Sequence, residues 1–385
     1  MFGWQPSLWQ AVLTMRPYLL PMLCLCLACS GQDDIYHDEL PKAVAVEHIE
    51  RIEAVQQLTS SAGVAELIFE LPAQTQSFAL FVEGSPQAEY LITELEGPDG
   101  ALVRAEATDE EIASGLGAAA GPFFSANRSV GDHAGTSLLV PNDPMIKVTA
   151  GPWRATIQST RSQEHTITVA RIEQRAQGRP SAVTIPLSIH LTGAEGMRSG
   201  EANEHVRLQR AQSQLTTIFS PVGITFSPII YVDISDDYQV IEDIELNDAQ
   251  GLDLLSQGSA EVGLNIFIIE RFDSGDEILG TIGGVSAAIP GDPRARQRFA
   301  GVVVATSFSE DDPSRDLLGL TMAHEIGHFL GLFHTTEAAG FVDNISDTQG
   351  EPQRNLMHHF SQQGFDQLTE HQGMVVRAHP AGAAP

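Results

Sequence analysis

Apolar and polar residues follow two different rhythms along this chain, and the change falls near residue 176. In the first part, short runs alternate apolar with polar and are separated by turn residues. This pattern predicts strands over 65–71, 77–82, 90–95, 153–158 and 165–172. Gly97-Pro98-Asp99-Gly100 is a turn, and 107–121, rich in alanine, glycine and acids, is an inserted loop or short helix. Strands at this spacing, with no helical period among them, predict a β-sandwich over 44–175.

Residues 176–182 read as a polar linker, and beyond it apolar residues recur at helical as well as strand spacing. A strand over 183–191 precedes a helix over 201–219 whose Leu208, Ala211, Leu215, Ile218 and Phe219 share one face. Strands follow over 223–232, 264–269 and 301–307, the second apolar enough to be buried on both sides. The run 280–289, thinned by three glycines, reads as an edge strand. Asp312-Pro313 supplies a cap and a first-turn proline for a helix running through residue 328. Regular pattern then fades until a last helix over 368–376. The expected fold class is multidomain: an N-terminal β-sandwich followed by an α/β (α+β) domain over 183–380.

Charge narrows the partners. Against 21 Lys+Arg stand 50 Asp+Glu, a formal net charge of −29, which argues against the basic face that nucleic acid requires. The three cysteines, Cys24, Cys26 and Cys29, all lie in one N-terminal apolar run, so no later segment can form a disulfide or bind a metal through thiolate. Arg16 and the apolar run 18–28 have the layout of a signal peptide, too short to span a bilayer. Leu27-Ala28-Cys29-Ser30 resembles a bacterial lipoprotein signal cut before Cys29, although Cys26 departs from that pattern. An ordinary secretory peptide is the alternative, and export is expected under both. Residues 1–29 would then hold the signal, and the polar stretch 30–43 would tether a lipid anchor to the folded body.

The candidate chemistry lies in residues 321–335, T-M-A-H-E-I-G-H-F-L-G-L-F-H-T. His324 and His328 are four apart, so a helix projects both imidazoles from one face to grip one metal ion. Glu325 sits beside the first of them, where its carboxylate can take a proton from a bound water. Gly331 can take the left-handed conformation that ends the helix and returns the chain, bringing His334 to the same ion. Three nitrogen ligands and an open position make a catalytic zinc site, whereas structural sites are closed by four protein ligands.

The string H-E-x-x-H-x-x-G-x-x-H, followed by Met357 in Asn355-Leu356-Met357, resembles the metzincin metallopeptidases, whose signature is this zinc motif plus a Met-turn. The run 327–334, Asp343, Asp347-Thr348 and Leu368-Thr369-Glu370-His371-Gln372 are most similar to the pappalysin-type family. The resemblance covers roughly 183–378 and implies a metzincin-type zincin domain, with Gly331 and Met357 as structural residues near the metal. The N-terminal region in turn looks like the jelly-roll accessory domains of bacterial secreted peptidases, on pattern alone.

The function expected is a zinc endopeptidase acting on proteins or peptides outside the cytoplasm, with Glu325 as general base and the 283–289 edge pairing with extended substrate. Two readings compete with it. One is an anchored binding lipoprotein that keeps zinc for stability, against which the retained Glu325 argues; the other makes the sandwich the functional part. Many metzincins carry a tyrosine two residues after the Met-turn methionine, and here that position is His359. His359 would replace the phenol as an oxyanion donor, or sit on zinc's fourth position, or only line the rim. Asp343, Asp347 and Glu351 are hard oxygen donors of the kind that hold calcium, although a solvated acidic loop accounts for them more simply. His133, His165, His190 and His205 lack partners at ligand spacing and read as structural or surface residues. Oligomeric state leaves no mark in the sequence.

Overall fold

The computed structural model describes residues 35–37, 39–104, 130–244, 246–259, 263–273, 282–308, 316–336, 343–348, 354–359 and 364–385. The expected signal and lipobox at 1–29, the insertion at 107–121, the Asp312-Pro313 cap and Glu351 lie outside them. Among the described residues no helix is long and apolar enough to cross a membrane.

The N-terminal strands are β1 (Glu50–Ser60), β2 (Val64–Leu71), β3 (Thr75–Glu83), β4 (Glu89–Gly97), β5 (Gly100–Arg104), β6 (Val130–His133), β7 (Gly135–Val140), β8 (Gly151–Ser159) and β9 (His165–Arg175). They form one antiparallel sheet in the order β1-β9-β3-β7-β6-β4-β8-β2, with β5 paired to β4. Leu67 and Trp153 from one end of this order meet Phe78, Leu80, Leu138 and Val169 from the other in a single core, so the sheet curls over on itself. Residues 35–37, expected as part of a tether, lie against it: Ile35 is buried in that core, and its carbonyl accepts from Lys147 N–H at 2.9 Å.

Two of these strands carry no alternation for a sequence reading to find. β1 is mostly exposed and polar, held by an eleven-residue register with β9 from Glu50↔Arg175 to Ser60↔His165. β7, Gly-Thr-Ser-Leu-Leu-Val, is buried on both faces, which erases period two.

In the C-terminal half, β10 (Val183–Leu191), β11 (Ile224–Asp233), β13 (Leu264–Ile269) and β16 (Val302–Ala305) run parallel, and β15 (Gly284–Ser286) pairs antiparallel with β16 at the edge. The sheet order is β11-β10-β13-β16-β15. β12 (Val240–Ile241) and β14 (Arg271–Phe272) make a separate parallel pair. The helices are α1 (Val206–Phe219), α2 (Ala249–Ser256), α3 (Leu318–Phe329) and α4 (Glu370–Arg377).

Successive side chains of a strand point to opposite faces, and β13 sorts its residues accordingly. Leu264, Ile266 and Ile268 pack in the core that holds α1 and α3, while Phe267 and Ile269 pack with Leu254 and Leu255 of α2.

Three expected elements shift. The edge strand is three residues long in the described chain rather than 280–289. α1 begins at Val206 and not at 201, because the chain first makes a tight turn at Ser199–Glu201 before His205 caps the helix. α3 begins at Leu318, where the Asp316 carboxylate accepts from Leu318 N–H at 3.1 Å and pairs with Arg207 and Arg210 of α1, each at 3.1 Å. A capped start tied to the neighbouring helix fixes the pose of α3, which carries the site.

Candidate active site

α3 is buried along its whole length, and its i, i+4 spacing places His324 and His328 on one face. After Phe329 the chain turns at Gly331 (φ +101°), a region open to glycine and strained for a side chain. The turn is closed by Gly331 N–H donating to His328 O and Leu332 N–H donating to Gly327 O, both at 2.9 Å. It returns His334 to the other two, whose Nε2 atoms stand 3.2 Å (His324) and 3.1 Å (His328) from His334 Nε2.

The opposite ring nitrogens decide the protonation. His324 Nδ1 donates to Leu356 O and His328 Nδ1 donates to Leu332 O, each at 2.8 Å. With the proton held on Nδ1, each Nε2 turns a lone pair toward the other histidines. Lone pairs so close together repel unless a cation lies between them. Zinc–nitrogen bonds of about 2.0–2.1 Å in tetrahedral geometry separate ligand atoms by roughly 3.3 Å, so this donor set fits zinc.

The floor of the site is the Met-turn. Met357 is fully buried with its Sδ against Gly327, so closely that a Cβ there would have to displace it. Met357 O accepts from Thr335 N–H at 2.8 Å and Met357 N–H donates to Asn355 Oδ1 at 2.9 Å. Glu325 is buried beside the edge strand, where Ser286 N–H donates to its carboxylate. Burial pushes its pKa up to about 8, against the opposing pull of that hydrogen bond.

Residues 259–371 match the M43 peptidase family described as pregnancy-associated plasma protein-A. Over these residues the chain is pappalysin-like, a metallopeptidase segment. An extracellular metalloprotease of Podospora anserina is 23% identical over 176 residues, 44% of this chain and 57% of that protein. The structure of metalloproteinase-II from Bacteroides fragilis is similar at 16% identity and a TM-score of 0.35, over 52% of this chain and 53% of that one. The chain thus spans somewhat over half the length of the relatives it matches.

Within the pappalysin-like segment, His359 turns Nδ1 to Thr336 O at 3.2 Å and stacks on His358 with ring centroids 4.3 Å apart. The His358 pKa is lowered by burial and by the neighbouring His359 and His334. Of the acidic residues considered for calcium, the two that are described, Asp343 and Asp347, do other work. Asp343 accepts from Thr348 Oγ1 at 2.5 Å and Ile345 N–H at 3.2 Å. Asp347 accepts from Thr369 Oγ1 at 2.7 Å and His371 N–H at 3.1 Å, holding the start of α4. Among the described residues the histidine triad is the one group of three or more such donors at metal-sharing distance, and calcium finds no support.

The remaining histidines are structural where described: His165 bonds Tyr90 Oη at 3.0 Å, His190 bonds Asn265 Oδ1 at 2.9 Å, and His205 caps α1. Three supporting residues escaped the sequence reading. Asn355 and Gln372 exchange two amide hydrogen bonds, at 2.9 and 3.1 Å, that bolt the Met-turn to α4. His379, wholly buried, bonds Gly291 O through Nε2 at 2.9 Å. Asn355 and Gln372 lie inside the quoted family strings, but nothing in those strings says that they pair.

Proposed function

We propose that this protein is a zinc-dependent endopeptidase acting on proteins or peptides outside the cytoplasm. The observation that carries the reading is the convergence of three Nε2 atoms, with the buried Glu325 held by Ser286 N–H of the edge strand. In it, His324, His328 and His334 would hold zinc, which would supply Lewis acidity. The Glu325 carboxylate takes a proton from the attacking water and returns it to the amine nitrogen that leaves as the peptide C–N bond breaks. β15 aligns an extended substrate by backbone hydrogen bonds, and Ser286 N–H keeps Glu325 aimed at the same edge. His359, steadied through Nδ1 by Thr336 O, serves as a hydrogen-bond donor to the developing oxyanion.

The likeness to an extracellular metalloprotease supports export. On this reading Cys29 carries lipid at the membrane surface, residues 44–175 form a sandwich-type accessory module, and 183–380 form the catalytic unit. Mass spectrometry of the mature N-terminus checks the anchor: an unmodified terminus elsewhere would remove it and leave export in place.

The decisive experiment is Glu325→Gln in the full chain. Zinc content should stay near one per chain, and hydrolysis of a denatured protein should fall by about 10²–10⁴-fold. A variant that keeps full activity would overturn the role of Glu325, and a wild-type chain with zinc and no hydrolysis would favour a binding protein. For His359→Phe the expected result is a loss on the order of 100-fold with zinc retained. A gain in activity would mean that His359 blocks the site instead.

A further inference from the structure

β3, β7 and β9 are buried on both faces. Phe78, Leu80 and Leu138 point into the N-terminal sheet's own core, whereas their neighbours Ala79, Phe81 and Leu139 join the core that contains α3 and Met357. Leu139 reaches the metal-site turn itself. A Cβ built on Gly331 would lie 2.5 Å from Leu139 Cδ2, so this side chain fills the space over the left-handed residue between the second and third zinc ligands. Two residues earlier on the same strand, Ser137 Oγ donates to Pro290 O at 2.8 Å. The adjacent Gly291 N–H donates to Phe329 O, the C-terminal end of α3, at 2.8 Å. Gly291 O in turn accepts from His379, whose carbonyl accepts from Gln174 of β9 at 3.4 Å. The N-terminal sheet therefore braces the end of the zinc helix from two directions.

We propose that Leu139 is a positioning residue of the metal centre: pressed against Gly331, it holds the turn whose Leu332 carbonyl orients His328 and from which His334 returns. The N-terminal sheet is then a permanent part of the zinc site and not a detachable module. The proposal rests on the zinc peptidase reading. Neighbours that orient metal ligands without touching the metal are worth roughly 10–100-fold in affinity, which sets the size of the expected effect.

The test uses the full-length chain and three variants, with zinc affinity measured by competition against a chromophoric chelator and apo-protein stability measured alongside. Leu139→Ala should weaken zinc binding by about 10-fold or more. Leu139→Met, close in volume, should restore it. Leu138→Ala deletes the same atoms one residue away on the opposite face; it should cost comparable stability and leave zinc affinity within about 2-fold of wild type. If Leu139→Ala does not fold, Leu139→Val is compared with Leu138→Val in the same way. Equal zinc affinity in the Leu139 and Leu138 variants would overturn the proposal. A wild-type chain that takes up no zinc would instead overturn the peptidase reading beneath it.

Discussion

Two pairs of strands in the N-terminal sheet, β2 with β8 and β3 with β7, differ in what lies outside them. β2 alternates exposed and buried residues from Val64 to Leu71, and β8 does nearly the same, because their outer faces meet water. β3 and β7 keep almost every residue buried, because their outer faces meet the C-terminal half of the chain. Amphipathic alternation therefore marks the strands with one face in water, and burial of both faces marks the docked strands. The same reasoning explains β13, which is buried throughout because helices cover both of its faces.

Truncations on the two faces should separate most widely at Phe81, fully buried on the docked side. Phe81→Ala should cost about 3–5 kcal/mol. Because Phe81 lies in the core shared by both halves, calorimetry should show one unfolding transition for the wild type and two for the variant. A variant that still unfolds in one transition, at little cost, would show that the halves are not coupled through this face.

A second test lies where the docked side reaches the C-terminal segment. His379 is wholly buried, and burial pushes its pKa down to about 3 from an ordinary 6.5. Between those values the unfolded chain binds the proton and the folded chain does not. Stability is therefore complete above about pH 6.5 and is lost as the pH falls toward 3, by roughly 2–3 kcal/mol at pH 4.5. Metal-free His379→Gln, which keeps a donor toward Gly291 O, should lose less between pH 6.5 and 4.5 than the metal-free wild type. Parallel losses in the two proteins would mean that His379 does not set this acid limb.

The smallest effect belongs to the free side. Ile68 on β2 is 62% exposed, and Ile68→Ser should change stability by no more than about 0.5 kcal/mol, with zinc affinity untouched. A larger change in chemical denaturation would mean that this face is covered.

The motif was legible because its geometry is local. Four-residue spacing on one helix, and a glycine free to take φ +101°, are enough to point His324, His328 and His334 toward one another. The alternating strands and the helix face of Leu208, Leu215 and Phe219 were legible for the same reason, since each is a period within one segment. Contacts between segments far apart in sequence left no period to read. The carbonyl that sets the His324 tautomer comes from Leu356, 32 residues on, and the amide partner of Asn355 comes from α4. β1 is recruited by its register with β9 rather than by its own pattern, and Leu139 lies against Gly331 only because the N-terminal sheet packs on the end of α3, far away in the chain. Spacing within a segment chose the ligands; tertiary packing chose their protonation, their bracing and which face of the N-terminal sheet supports them.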